Sequence, residues 1–282
     1  MTKAETAGPA GQDLKKTLRG LGRGFGGALI FALPMFMTME MWWLGFYIDR
    51  SRLVLLLLVN IPLLVLLSYH AGFERTAAWQ DDLCDAGIAF GIGLMTSIVM
   101  LTVLGLITRD MTADEIIGKI ALQTVPASFG ALLGSSQLGI QDVDDDEDAS
   151  TKTPSYLSEL FLRCIGALFL SLNVAPTEEM VLISYKMSEW HAVALIILSV
   201  AVMHGFTYAL AFRGSIPLPK EGRLHAFLHD TVPGYAVALG VSLYVLWTFG
   251  QTDDASLTHI VMAVVVLGFP AAIGAAAARL IL

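Results

Sequence analysis

Glu40 is the only charged residue between Gly24 and Ile48, and it stands in MFMTMEM amid apolar side chains. Glu179 recurs in similar surroundings, in APTEEM: each glutamate follows a threonine by two residues and precedes a methionine. A charged side chain inside a membrane span costs about 2.5–3.5 kcal/mol, so such a carboxylate should face protein or a wet cavity. Two carboxylates brought together share a proton or hold a cation, because like charges at close range raise at least one pKa. The blander reading is a protonated glutamate that hydrogen-bonds a neighbouring helix and adds modest stability. The sequence leaves both open.

The nearby oxygens suit a hard cation or a proton better than a soft metal. Thr38 and Thr177 put hydroxyls within a turn of the glutamates, and Asn173, which aligns with Pro34, offers an amide oxygen. An interior proline removes one backbone hydrogen bond, so Pro34 would release the carbonyl of Ile30 and Pro176 that of Leu172. Glu178 adjoins Glu179 but has no acidic counterpart earlier in the chain, where Met39 stands. His204, one turn before Tyr208, is either a member of a proton relay or a histidine bonded to a neighbouring hydroxyl. The expected ion- or proton-binding set is therefore Glu40, Glu179, Glu178, Thr38, Thr177, Asn173 and His204.

Other chemistries fit less well. Met35, Met37, Met39 and Met41 form i, i+4 pairs that would suit Cu(I), yet only Met180 recurs in the second half, which favours adaptable packing. The acidic run in QDVDDDEDAS lacks the spacing and turn glycine of an EF-hand, and reads as a solvated linker. Cys84 and Cys164 make no CxxC or His/Cys cluster, so no metal, cofactor or disulfide framework is expected. Asp85 and Asp230 read as helix N-caps. The glycine pairs Gly87/Gly91 and Gly130/Gly134 read as close-packing devices, and Asn60 and Ser199 occupy matched places in two spans.

Glu178–Glu179, His204 and the loop HAFLHD (His225, His229, Asp230) resemble, in chain order, the glutamate and histidine motifs of intramembrane CAAX-type proteases. That family's arginine one turn after the glutamates is missing from EEMVLISYK, and proteolysis would leave Glu40 unexplained. No phosphate-cradling loop and no basic–aromatic surface for nucleic acid is visible.

What positions these residues is a membrane. The 282-residue chain is 55% hydrophobic with a mean hydropathy of +0.68, far more apolar than a soluble domain needs. Its continuous apolar runs exceed the roughly 20 residues that cross a bilayer as a helix, and they lack the short alternation of a membrane barrel. Eight spans are expected, at 24–48, 53–73, 86–107, 115–138, 157–185, 191–212, 231–250 and 257–281. The basic, polar N-terminus lacks the apolar region and cleavage site of a secretory signal peptide. Twelve of the seventeen basic residues fall on the N-terminal side of those spans, which predicts cytoplasmic termini and a cytoplasmic acidic segment.

Sliding the chain by 139 residues lays GALIFALPMFMTMEM over GALFLSLNVAPTEEM. The same offset pairs Tyr69 with Tyr208. After a small insertion, Asp85, Ser97 and Gly105 meet Asp230, Ser242 and Gly250, and VPASFGA (125–131) meets FPAAIGA (269–275). An ordered series of matched polar residues over four spans points to duplication. Four spans per unit is an even number, so the units are parallel repeats about an axis along the membrane normal. That axis would bring Glu40 and Glu179 towards each other.

The expected architecture is an all-α polytopic bundle of about eight spans in two parallel four-helix repeats. It divides into a cytoplasmic tail (1–23), a first repeat (24–140), an acidic linker (141–156) and a second repeat (157–282). With the duplicated TxEM spans and the acidic linker, the chain resembles an uncharacterised family of bacterial integral membrane proteins. That resemblance implies a multi-pass protein of the bacterial inner membrane and supplies no activity. The functional expectation is a cation or proton transporter or channel in contact with the lipid bilayer. The alternative is a non-transporting scaffold or sensor that docks a partner through residues 142–148.

Overall fold

The computed structural model describes residues 9–71, 79–137, 156–209 and 223–281. The acidic segment lies outside them. The described chain is helical: α1 (Pro9–Phe36), α2 (Met39–Tyr47), α3 (Arg50–Ala71), α4 (Trp79–Val103), α5 (Ala113–Gln137), α6 (Tyr156–Val174), α7 (Glu178–Lys186), α8 (Glu189–His204), α9 (Arg223–Ala226), α10 (Val232–Thr248) and α11 (Leu257–Ile281). Two π-helical turns, Gly205–Ala209 and Phe227–Thr231, follow α8 and precede α10.

Among the described residues seven helices are long and apolar enough to cross a membrane, and α1 and α2 reach that measure only when counted together as one broken span. The polytopic helical expectation holds, with corrections at particular places. Helix α1 already runs from Pro9, well inside the stretch read as a tail. The spans read as 24–48 and 157–185 are each broken into a long helix and a nine-residue one. Asp85 and Asp230 are not N-caps. Helix α4 begins at Trp79, with Asp81 and Asp82 in its first turn, and Asp230 sits in a π-helical turn.

The breaks have a local cause. Thr38 (φ −96°, ψ 116°) and Thr177 (φ −73°, ψ 139°) are extended, and each is followed by an acidic first turn, which the positive end of a helix favours. The short helices end alike, with Ile48 and Met187 extended and their N–H groups returned to the carbonyls of Leu44 and Ile183. Asp49 then caps α3 by accepting from the N–H groups of Ser51 (2.9 Å) and Arg52 (3.1 Å).

Two compact units account for the described residues. One draws on Met1–Phe36, Leu57–Met111 and Ile120–Asp142, the other on Met37–Leu56, Thr112–Lys119 and Val143–Leu282. In the first, α1 meets α5 backbone to backbone: a Cβ on Gly27 would lie 2.2 Å from the Gly130 oxygen and 2.4 Å from the Gly134 Cα. In the second, a Cβ on Gly166 of α6 would lie 2.1 Å from the Gly274 oxygen of α11. Gly27 and Gly166 are paired by the sequence offset, as are Gly130 and Gly274. Gly87 and Gly91, by contrast, face open space among the described residues.

Other paired positions share geometry too. Gly105 (φ 71°) and Gly250 (φ 76°) both end their helices in the left-handed conformation, where a side chain would be strained. The N–H groups of Leu106 and Gln251 reach back to the carbonyls of Leu101 and Leu246 in the same way. Ser97 donates to the Gly93 carbonyl and Ser242 to the Ala238 carbonyl, both at 2.8 Å.

Gly166→Ala drives a methyl into a backbone oxygen that cannot move aside, so it is expected to cost about 1–3 kcal/mol. Thermal unfolding in detergent reads this as a lower midpoint, whereas Gly91→Ala leaves the midpoint unchanged. The hydrogen bond from the Ser51 hydroxyl and the backbone N–H of Arg52 hold the Asp49 carboxyl below the usual carboxylate range. Its capping contribution is therefore complete above the ordinary aspartate pKa and lost as pH falls through the lowered folded value. Asp49→Asn should flatten that part of the stability–pH curve.

Candidate functional site

Both short helices begin on a threonine and carry glutamate in the first turn, Glu40 in α2 and Glu178 and Glu179 in α7. The Thr38 carbonyl accepts from the Met41 N–H (3.2 Å), and the Thr177 hydroxyl donates to the Val174 carbonyl (2.8 Å). The threonine hydroxyls do not cap these helices.

Glu40 and Tyr47 stand two turns apart on one face of α2, and the carboxylates of Glu40 and Glu178 both act electrostatically on the Tyr47 phenol. The structure thus brings Glu178, rather than Glu179, to the tyrosine shared with Glu40. Glu40 is half-buried, and Glu178 and Glu179 are exposed. Among the described residues these three carboxylates make no hydrogen bond or ion pair. The acids at the heads of the two short helices, with the phenol that ends α2, are groups that can pass a proton or hold a cation of oxygen preference.

Carbonyls freed at the breaks are met by side-chain amides. In the first unit, Gln123 Nε2 donates to the Met35 carbonyl in the last turn of α1 (3.0 Å). In the second, Gln251 Nε2 donates to the Ala175 carbonyl just past α6 (2.5 Å). Neither glutamine stood out in the sequence, although an amide in or beside an apolar span is the available signal. Asn173 donates instead to the Phe169 carbonyl of its own helix (2.8 Å), and its buried Oδ1 has no partner among the described residues.

Cations gather at the far end of α2. Arg50 bonds the Gly45 carbonyl (3.2 Å) and Asp114 (2.7 Å), while buried Lys119 lies 4.3 Å over the Phe46 ring. Arg52 pairs with Asp253 (2.8 Å), bonds the Trp247 carbonyl (2.8 Å) and covers the Trp247 ring. These contacts tie α2 and the start of α3 to the loop after α10.

His204 belongs elsewhere. Its Nδ1 pairs with the Thr231 hydroxyl (2.8 Å), and its ring lies near Tyr208 and Phe227. Close by, Tyr208 donates to Asp230, Asp230 pairs with His229 (3.2 Å), and Tyr156 donates to the His229 carbonyl (2.9 Å). Tyr156 opens α6 and Glu178 follows its end, so this cluster and the glutamates are separated by a 19-residue helix, about 28 Å. The glutamate and histidine segments that resembled a protease are not brought together. Among the described residues no three His, Cys, Asp or Glu side chains converge as a transition metal would require.

A helical bundle of this kind, with broken helices and acids at their heads, is a multi-pass integral membrane protein. Residues 20–282 match the family described as "Putative integral membrane protein (DUF2391)", and the chain belongs to that family. No curated protein and no solved structure matches it.

Gln251→Leu leaves the Ala175 carbonyl without its donor in apolar surroundings, a loss of about 1–3 kcal/mol. The unfolding midpoint should fall accordingly, while Gln251→Glu, protonated at low pH, should recover part of it as the pH is lowered.

Proposed function

We propose that the protein moves a proton or a hard monovalent cation across the membrane, with Glu40 and Glu178 as the binding carboxylates. The observation that carries this reading is the acidic first turn that opens each short helix at its break, Glu40 in α2 and Glu178 with Glu179 in α7. Helix starts at membrane breaks recur as ion sites because their polar backbone groups are available there. In this reading Glu179, Thr38 and Thr177 border the site, the Asn173 Oδ1 supplies a further oxygen to a cation or its water, and His204 takes no part. Four-helix repeats at 24–140 and 157–282, joined by the linker at 141–156, form the proposed framework. The excess of basic residues on the N-terminal side supports cytoplasmic termini, and the sequence resemblance supports a bacterial inner membrane.

Flux into proteoliposomes, driven by a pH gradient or by sodium or potassium gradients, tests the proposal. Losing one charge-assisted contact costs about 1.5–3 kcal/mol, so Glu40→Gln and Glu178→Gln should each lower flux about tenfold or more. Glu179→Gln should lower it less. Unchanged flux in the Glu40→Gln/Glu178→Gln double variant, with normal folding, would falsify the site.

A further inference from the structure

We infer that α2 is an interfacial helix, lying along the surface layer of the bilayer with lipid, at glycerol and headgroup depth, as the occupant of its exposed face. Helix α2 is a separate helix of nine residues between extended Thr38 and Ile48, too short to cross a bilayer by itself. Its two faces are sharply unlike. Met39, Trp43, Phe46 and Tyr47, spaced i, i+4, i+7 and i+8, form one stripe, with Trp43 61% and Tyr47 66% exposed. Met41 and Leu44 on the other side are 1% and 2% exposed, and Gly45 there fits against Gly118 and Lys119. The side chains of the stripe are uncharged, while Lys119 lies over the Phe46 ring and the Glu40 and Glu178 charges act on Tyr47, a mixed setting that suits headgroup depth. Glu40 borders the stripe at one end, and Asp49, Arg50 and Arg52 follow it at the other.

Tryptophan and tyrosine concentrate at the membrane–water boundary, where an apolar ring body and a polar tip are both accommodated. Other helix ends of the same unit carry the same signature. Tyr185 lies near the end of α7, Trp190 in the first turn of α8 and Trp247 near the end of α10, all exposed. Exposed Val54 and Leu55 of α3 continue the apolar surface beyond Asp49. A second protein copy is a poorer occupant, because four side chains on a nine-residue helix fall short of the roughly 800 Å² per partner of a stable interface. The matched stripe on α7, Glu178, Leu182, Tyr185 and Lys186, is charged at both ends, so the lipid-seated face belongs to α2 alone. The inference holds whether or not the glutamates carry ions.

The test uses the full chain in lipid nanodiscs, with Trp43 as the single tryptophan after Trp42, Trp79, Trp190 and Trp247 are changed to Phe. Lipids brominated close to the glycerol should quench Trp43 strongly and lipids brominated at the chain end weakly, placing the ring about 5–10 Å into the boundary layer. Should the fourfold variant fail to fold, a nitroxide on Met39→Cys gives the same depth from its oxygen and nickel-chelate accessibilities. Quenching by neither lipid, strongest quenching from the chain end, or a Trp43→Cys cross-link between copies would each overturn the inference.

Discussion

A helix that stops inside a packed fold strands carbonyl oxygens, and each buried group left without a donor costs about 1–3 kcal/mol. The arrangement of this protein depends on how two such stops are satisfied. At the end of α1 the donor is Gln123 in α5, and past the end of α6 it is Gln251 in the loop after α10. These amides come from non-equivalent positions in the sequence but meet the same need. With the carbonyls satisfied, the chain can restart as α2 and α7, and a glutamate in the first turn is then electrostatically favoured. The acids that looked anomalous inside a span are thus ordinary helix-start residues in an unusual place.

The glycines allow the framework that holds these stops. Contact of Gly27 with Gly130, and of Gly166 with Gly274, lets helix axes approach to backbone contact without side chains between them. In lipid, such packing and the interhelical hydrogen bonds carry much of the association, since tails solvate leucine as well as a neighbouring helix does. Asn60 of α3 adds a bond of this kind inside the first unit, to the Ser128 hydroxyl at 3.1 Å.

Much of this was legible in the sequence because apolar runs and repeated polar residues are long-range signals. The sequence offsets laid Gly105 on Gly250 and Gly27 on Gly166, and the structure gives the first pair the same left-handed conformation and the second the same close backbone approach. Gly130 and Gly134 were read correctly as packing residues, but Gly87 and Gly91 were not, since spacing alone does not say which face of a helix has a neighbour. The breaks were hidden for a different reason. A threonine followed by an acid in the first turn is a helix-start signal, but within a run of apolar residues hydropathy outweighs it and the two pieces merge into one span. Tyr47 and the two glutamines escaped because their importance comes from the partner across the fold.

The offset that aligns the two stretches does not make their acidic helix starts alike. The offset matches Glu40 with Glu179, yet it is Glu178 whose charge acts on Tyr47 together with that of Glu40. One residue along a helix turns the side chain by about 100°, enough to select a different neighbour. The paired positions diverge where this matters: Met39 corresponds to Glu178, Trp43 to Leu182 and Tyr47 to Lys186. One short helix thereby gains an apolar aromatic face and the other a second acid and a base. The glycines and helix ends, which set the backbone, stayed alike, because a change there strains the crossing or the turn. Exposed first-turn and surface positions carry no such penalty, and it is there that the aligned stretches differ.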